Sequence, residues 1–276
     1  MKSLSARAIV AAVLAGIPGA LATPNHEIAA PALVVTSFEY AFVAPEMADA
    51  GPVTVRLVNH GKRGHQVAFA RLDDSSSLVR VMRSLVDHKG VTAGIRWVGG
   101  VESALPGDSS ETTLALLPGK YVIVCEYDGD NGHSHVSMGM IRPLEVTGGA
   151  GKAKIDLPAT ATTIRLTDYK VDLSAPLHAG KQLVRVENDG AHHHHLMIQR
   201  LVGGATLADL DKWDGKSQPS PIEDVSGGAA ILDPGLASVI ALNLKAGRYA
   251  LGCLLNDEPG GTPHYMLGME REITVR

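Results

Sequence analysis

The sequence predicts an all-β protein that consists of two tandem Greek-key β-sandwich domains, each with one short helical insertion. An internal repeat is the first observation: the stretch from Gly119 to Cys125, followed by His135 and Met140, recurs from Gly247 to Cys253, followed by His264 and Met269. Apolar runs are short and are bounded by Gly, Pro and Asn, as the strands of antiparallel sandwiches are. The 276 residues are also sufficient for two domains of ordinary size.

The repeat extends over nearly the whole chain. Val53 to Asn59 and the following His65 match Gln182 to Asn188 and the following His194, and the glycine pairs Gly99–Gly100 and Gly227–Gly228 also match. A nearly constant offset through strands, turns and glycines indicates a duplication. We therefore predict a signal peptide at residues 1–22, a first domain at 23–148 and a second domain at 149–276, joined by a glycine-rich linker.

Six runs have the length and composition of strands. They are Leu33 to Ser37, Val53 to Val58, Tyr121 to Cys125, Ile164 to Thr167, Leu183 to Glu187 and Tyr249 to Cys253.

One helix is predicted between the first histidine strand and the glycine pair of each domain. In the first domain, apolar residues from Leu78 to Val86 follow helical spacing, and Gly90 ends the pattern. In the second, Thr206 with Asp209 makes a plausible capping box, and Leu207, Leu210 and Trp213 supply an apolar stripe before Gly215. Both apolar stripes are expected to pack in the core.

The N-terminal segment has the pattern of an export signal. Lys2 and Arg7 precede an apolar stretch from Ala8 to Ile17, and Ala20 and Ala22 are small residues suited to cleavage. A membrane anchor would need about 20 apolar residues, and this stretch is shorter. We expect a periplasmic or secreted protein with no membrane span after cleavage. The net charge of −4 provides no basic field for nucleic acid.

Histidines are concentrated on the loops that the repeat pairs: nine of the twelve lie at positions 60, 65, 133, 135, 192–195 and 264. Loops at one end of a Greek-key sandwich converge, so a histidine after an early strand can meet a Cys–His–Met loop near the end of the domain. A thiolate, imidazoles and a thioether form a soft ligand set suited to a redox copper. The predicted copper ligands are His65, Cys125, His135 and Met140 in the first domain, and His194, Cys253, His264 and Met269 in the second.

Several alternatives remain open at this stage. His133 lies one pleat from His135 and could replace it as ligand, and His193 or His195 could hold an accessory metal. Cys125 and Cys253 could instead be buried hydrophobic residues or form a disulfide, although the repeat places them at equivalent positions in separate domains.

Each half of the chain resembles a cupredoxin, the blue copper fold, over essentially its full length. The Gly-x-Tyr-x-x-x-Cys strand, the Asn-containing loop with the first histidine and the His-x4-Met segment each occur twice. The whole chain resembles exported two-domain cupredoxin-like proteins. Its loops between cysteine and histidine are longer than those of small blue proteins, and copper nitrite reductases have loops of comparable length. The resemblance implies one type 1 copper per domain, with the second histidine of each site at an exposed apolar edge.

Electron transfer with a redox partner protein is the leading functional hypothesis. The alternatives are a copper carrier or buffer that exchanges the ion with a donor or acceptor, and an interaction module that holds no metal. In the multicopper enzymes that the chain resembles, histidine lies next to the cysteine, whereas Val124 and Gly252 precede the cysteines here. The sequence therefore favours a protein that is not an enzyme.

Overall fold

The structure is a computed structural model that describes residues 33–87, 93–129, 132–148, 155–257 and 260–276. The predicted signal peptide at residues 1–22 and Gly90 lie outside the described residues, as does most of the predicted linker. The boundary between residues 148 and 149 stays a prediction. Among the described residues, no helix is long and apolar enough to cross a membrane.

Strands account for most of the regular structure in both halves. The first half contains β1 (Leu33–Phe38), β2 (Ala41–Val43), β3 (Met47–Asp49), β4 (Gly51–Asn59), β5 (His65–Leu72), β6 (Ile95–Ala104), β7 (Ser109–Leu116), β8 (Gly119–Val124) and β9 (Ile141–Thr147). The second half contains β10 (Thr162–Thr167), β11 (Lys170–Leu173), β12 (Gly180–Asn188), β13 (His194–Leu201), β14 (Ile222–Asp224), β15 (Gly227–Leu232), β16 (Ala237–Leu244), β17 (Gly247–Gly252) and β18 (Glu270–Val275). Each of the six predicted strands overlaps one of these.

The strands form two sheets that both run through the two halves of the chain. One sheet has the order β11-β10-β12-β16-β7-β4-β1-β2, and the other has the order β18-β17-β13-β15-β6-β5-β8-β9-β3 with β14 beside β13. Each half has its own apolar core between the sheets, centred on side chains such as Phe69 in the first half and Leu251 in the second. The predicted all-β architecture of two cupredoxin-like sandwiches is confirmed.

The halves meet through pairs of equivalent strands. At the junction β6 pairs with β15, where Val101 lies opposite Ala229, and β7 pairs with β16, where Thr112 lies opposite Ile240. Val101 and Ala229 each directly follow a glycine pair, so each strand pairs with its own counterpart. The junction is therefore arranged around an approximate twofold axis.

The two helical insertions are present but differ in their packing. Helix α1 (Leu78–Val86) buries Val81 and Leu85 in a third apolar cluster on the outer face of a sheet, as predicted. Helix α2 (Leu207–Leu210) has the predicted capping box between Thr206 and Asp209 but no buried residue. Its apolar stripe is therefore not core packing, because a helix of a single turn covers too little of the sheet.

Candidate metal centres

The first candidate site lies at one end of the first sandwich. His65 is the first residue of β5, Cys125 directly follows β8, and His135 lies in the turn before β9. Backbone hydrogen bonds fix the loop: the amide of His135 donates to the Tyr127 carbonyl at 2.7 Å, and the amide of Cys125 donates to the Met140 carbonyl at 3.1 Å. Residues far apart in sequence therefore converge at one point.

The donor atoms of this site are close together and buried. Nδ1 of His65 lies 3.2 Å from Nδ1 of His135, and Sγ of Cys125 lies 3.4 Å from the latter atom. All three side chains are at most 2% exposed. Both cysteines of the chain are free, so the disulfide alternative is excluded.

The second site repeats this arrangement with His194 at the start of β13, Cys253 after β17 and His264 at the start of a 3₁₀ turn (His264–Leu267). The two Nδ1 atoms are 3.0 Å apart, and Sγ of Cys253 lies 4.0 Å from His194 and 3.5 Å from His264. A point equidistant from these three atoms lies about 2.1 Å from each, close to the length of a bond from a first-row metal ion to imidazole and slightly shorter than one to thiolate.

Two carboxylates determine which ring nitrogens of the second site face the centre. Nε2 of His194 lies 2.8 Å from Asp168, and Nε2 of His264 lies 2.8 Å from Asp257. These contacts place the ring protons on Nε2 and leave a lone pair on each Nδ1, a tautomer assigned from the hydrogen bonds. Two nitrogen lone pairs and a sulfur then face one another in a buried space, which favours a cation between them.

The first site lacks this carboxylate support at its first histidine. Nε2 of His65 is buried without a hydrogen-bond partner in the part of the chain that the structure describes. Glu39, at the position equivalent to Asp168, instead accepts hydrogen bonds from the amides of Lys62 and Arg63. Burial, together with the neighbouring His135, lowers the pKa of His65 to about 4. His65 is therefore held neutral, as a metal ligand must be.

The two cysteines have different electrostatic surroundings. Burial raises the pKa of Cys125 to about 12, and the hydrogen bond from the Gln66 amide only partly offsets it. Burial opposes ionisation of Cys253 as well, and a positive charge on the neighbouring His195 would favour the thiolate. The difference follows from one position, because the residue after the first histidine is Gln66 in one half and His195 in the other.

An aromatic ring covers the second histidine of each site. Tyr40 packs edge-on against His135 at 5.2 Å between ring centroids, and Tyr169 packs in the same way against His264 at 5.1 Å. Both histidines are buried. The expectation that these histidines lie at an exposed edge is therefore wrong, since both are buried and a tyrosine ring packs against each.

The predicted methionines lie in the same loops as the other ligands. Met140 and Met269 are fully buried, and their amides donate to the carbonyls of His135 at 3.0 Å and His264 at 2.9 Å. Each belongs to the same apolar cluster as the cysteine of its site. Their role as thioether ligands stays a prediction.

The structure separates the alternative histidines from the two sites. His133 is exposed, whereas His135 joins His65 and Cys125. His193 is partly buried and belongs to neither group. His195 accepts a hydrogen bond from the Leu254 amide at 2.7 Å through Nε2, and its Nδ1 lies 3.1 Å from Glu102. Both of its nitrogens therefore contact protein groups, and an accessory metal would have to displace one of them.

Sequence reasoning missed the residues that support the ligands. Asp168, Asp257 and Glu102 are acidic residues scattered along the chain with no local motif, and only the fold brings them to the histidines. For Asp168 and Tyr169 a signal was present, since aligning the halves places Glu39 and Tyr40 opposite them. Glu102 has Ala230 as its counterpart and gave no such signal.

No protein-family model and no curated protein matches this sequence. Solved structures that resemble it include a dithionite-reduced auracyanin from Roseiflexus castenholzii, with 20% identity, TM-score 0.30, and coverage of 42% of this chain and 95% of that one. The copper-containing nitrite reductase of Thermus scotoductus has 12% identity, TM-score 0.24, and coverage of 88% and 61%. A multicopper oxidase has 15% identity, TM-score 0.25, and coverage of 88% and 87%.

These comparisons correct one expectation. The sequence favoured a protein that is not an enzyme, and this is contradicted because the similar structures include a nitrite reductase and a multicopper oxidase. At these identities they do not assign a reaction to this chain. The predicted resemblance to tandem cupredoxins is confirmed for the fold, by the two sandwiches and the two His–Cys–His groups.

Proposed function

We propose that the protein binds one copper ion in each half, at His65, Cys125 and His135 and at His194, Cys253 and His264, and that it transfers electrons. The observation that carries this proposal is the convergence of two Nδ1 atoms and one sulfur in each buried site. Two histidines and one cysteine, with methionine as a weak axial ligand, are the donor set of a blue copper site. Copper bound there would supply a one-electron redox couple.

The rigidity of each site supports electron transfer over storage. The ligands are buried and are fixed by strand ends, backbone hydrogen bonds and, in the second half, carboxylates. Donors that are held in place need little rearrangement when the charge of the metal changes. A carrier would need accessible ligands, and within the run from His192 to His195 the structure commits His194 and His195 to buried contacts.

A surface suited to a redox partner lies beside the second site. Met266 is 63% exposed, and Leu254 and Leu267 are about half exposed; they flank Cys253 and His264 in sequence. Exposed apolar side chains that group together are typical of interaction sites, and methionine is enriched at protein–protein contacts. We infer that a redox partner docks here, and that the chain acts in the periplasm or outside the cell, as its N-terminal segment suggests.

A copper titration of the metal-free protein tests the proposal, with Cys125→Ser, Cys253→Ser and the double variant measured in parallel. We expect two equivalents of copper, an intense visible band from thiolate-to-copper charge transfer, and narrow hyperfine splitting in electron paramagnetic resonance. Each single variant should lose one equivalent and part of the band. Copper that binds without the band and persists in the double variant would refute the assignment, and rapid loss of copper to a chelator would favour a carrier.

A further inference from the structure

The junction between the halves contains a fully buried carboxylate, Glu102 on β6. Its Oε2 accepts a hydrogen bond from Nε2 of Gln66 at 2.7 Å, and its Oε1 lies 3.1 Å from Nδ1 of His195. Gln66 follows His65, and His195 follows His194. One carboxylate therefore contacts the residue next to the first histidine in both candidate sites.

In the first half, Gln66 connects Glu102 to the cysteine loop. The backbone amide of Gln66 lies 3.3 Å from Sγ of Cys125, and its side-chain oxygen accepts a hydrogen bond from the amide of Glu126 at 3.2 Å. The side chain of Gln66 thus links the residue after Cys125 to Glu102.

In the second half, His195 makes the same set of contacts. Its backbone amide lies 3.5 Å from Sγ of Cys253, and its Nε2 accepts the hydrogen bond from the amide of Leu254. Because Nε2 is an acceptor, the ring carries its proton on Nδ1 and donates it to Glu102. A continuous chain of buried polar contacts therefore joins the two cysteine loops through one side chain.

The residues around Glu102 leave space for its side chain at the junction between the halves. A Cβ atom on Gly228 would lie 2.9 Å from Cβ of Glu102 and 2.4 Å from the Leu196 carbonyl oxygen, so glycine makes room for it. The counterpart of Glu102 is Ala230, which packs in an apolar cluster. A buried carboxylate destabilises a fold unless hydrogen bonds compensate it, so a junction that needed only packing could use a second small apolar residue.

We propose that Glu102 is a positioning residue shared by both metal sites. It fixes the cysteine loop of each half against its first histidine strand, and its negative charge acts on both centres at once. This inference rests on the proposed function. A negative charge in a buried region stabilises the more positive, oxidised form of a nearby metal. Its removal is therefore expected to raise the midpoint potentials of both centres.

The test is redox titration of the Cys125→Ser and Cys253→Ser proteins, each with and without Glu102→Gln. We expect Glu102→Gln to shift the equilibrium toward reduced copper roughly tenfold in both proteins, which corresponds to about 59 mV for one electron. Glu111→Gln is the matched control, since Glu111 is a mostly buried carboxylate of the first half that pairs with Arg56. Both residues lie in the sheet that does not contain Glu102. It should leave both potentials unchanged.

The outcomes separate the possible failures. If Glu102→Gln lowers only the thermal stability, or shifts one potential alone, Glu102 is structural or serves one site, and the inference is wrong. If Glu102→Gln does not fold, Gln66→Leu and His195→Leu provide the second test, because each removes the polar side chain that links Glu102 to one cysteine loop. Each variant should shift the potential of its own site and not that of the other, and equal shifts at both sites or no shift at either would overturn the inference. Absence of a redox-active copper before Glu102 is changed would instead refute the proposed function, and this inference with it.

Discussion

Replacing Asp168 with asparagine tests whether the carboxylates of the second site support a metal ligand. The side chain keeps its size but loses the charge that faces Nε2 of His194 at 2.8 Å. Outer partners of this kind fix the ring tautomer and raise the basicity of the ligand. Their loss typically lowers metal affinity about 10–100-fold, or about 1.4–2.7 kcal/mol.

Asp168 also binds the loop that leads into the site. Its oxygens accept hydrogen bonds from the amides of Ala191 at 2.8 Å and His192 at 3.3 Å. Asparagine retains one acceptor oxygen and can keep only part of these contacts. We therefore expect a loss of copper affinity near 100-fold if the loop is loosened, and near 10-fold if the backbone contacts are kept.

The assay is a competitive copper titration against a chelator in the Cys125→Ser protein, where only the second site binds. Asp172→Asn is the matched control, because Asp172 pairs with Lys170 and Arg271 at the surface. The same Asp168→Asn change in the Cys253→Ser protein should leave the first site unaffected. Unchanged affinity at the second site would show that the carboxylate does not support the ligand, and our reading of the Nδ1 geometry would then be wrong.

Three further predictions concern the metal-free fold. Burial, with a smaller contribution from Asp128, raises the pKa of Glu126 to about 7, so the folded protein loses stability as pH rises from about 4.5 through 7. In denaturant titrations, the stability of Glu126→Gln relative to wild type should therefore increase by about 2–3 kcal/mol between pH 5 and pH 8.5. A difference that stays constant with pH would contradict this. Tyr121→Phe removes the hydroxyl that donates to the Leu117 carbonyl at 2.8 Å, and Tyr249→Phe removes the hydroxyl that donates to the Lys245 carbonyl. Each variant should lower the free energy of unfolding by about 1 kcal/mol in the same assay. Unchanged stability in both variants would refute a role for these hydrogen bonds. Gly100→Ala places a Cβ atom 1.9 Å from the Val67 carbonyl oxygen and should lower the free energy of unfolding by several kcal/mol or prevent folding. Gly107 also has a positive φ but has open space around it, so Gly107→Ala should lower this free energy by only about 1–2 kcal/mol. Equal losses in the two variants would show that the close approach at Gly100 is unimportant.

The fold and the inner donors could be predicted because the repeat displays them twice. One strand leads directly to Cys125 and another to Cys253. A histidine follows ten residues after the first cysteine and eleven after the second, and the His-x4-Met spacing is identical in both halves. Chance does not preserve such a pattern. The choice of His135 over His133 also followed from the repeat. Strand ends and loop spacing are local properties, which a sequence records directly.

The junction could not be predicted because it depends on contacts between the halves. Nothing local marks Glu102 as the partner of both Gln66 and His195, and its counterpart Ala230 breaks the repeat. Likewise, the sequence left His195 open as a holder of an accessory metal, whereas the strand that begins at His194 buries both residues. The surroundings of Glu102 and His195 depend on strand pairing between distant parts of the chain. The alternation of side chains from His192 to His195 therefore did not identify His195 as a buried partner of Glu102.

The two sites have the same inner donors but different surroundings, and this difference predicts the order of their midpoint potentials. In the second site both histidines contact carboxylates, whereas His65 in the first site has no such contact among the described residues. Negative charge near the metal favours its oxidised form, so the second site should have the lower potential. Redox titration of the Cys125→Ser and Cys253→Ser proteins measures each site separately. A lower potential at the first site would mean that the order of the two potentials is set by the hydrogen bonds around the sulfurs and not by the carboxylates beside the histidines.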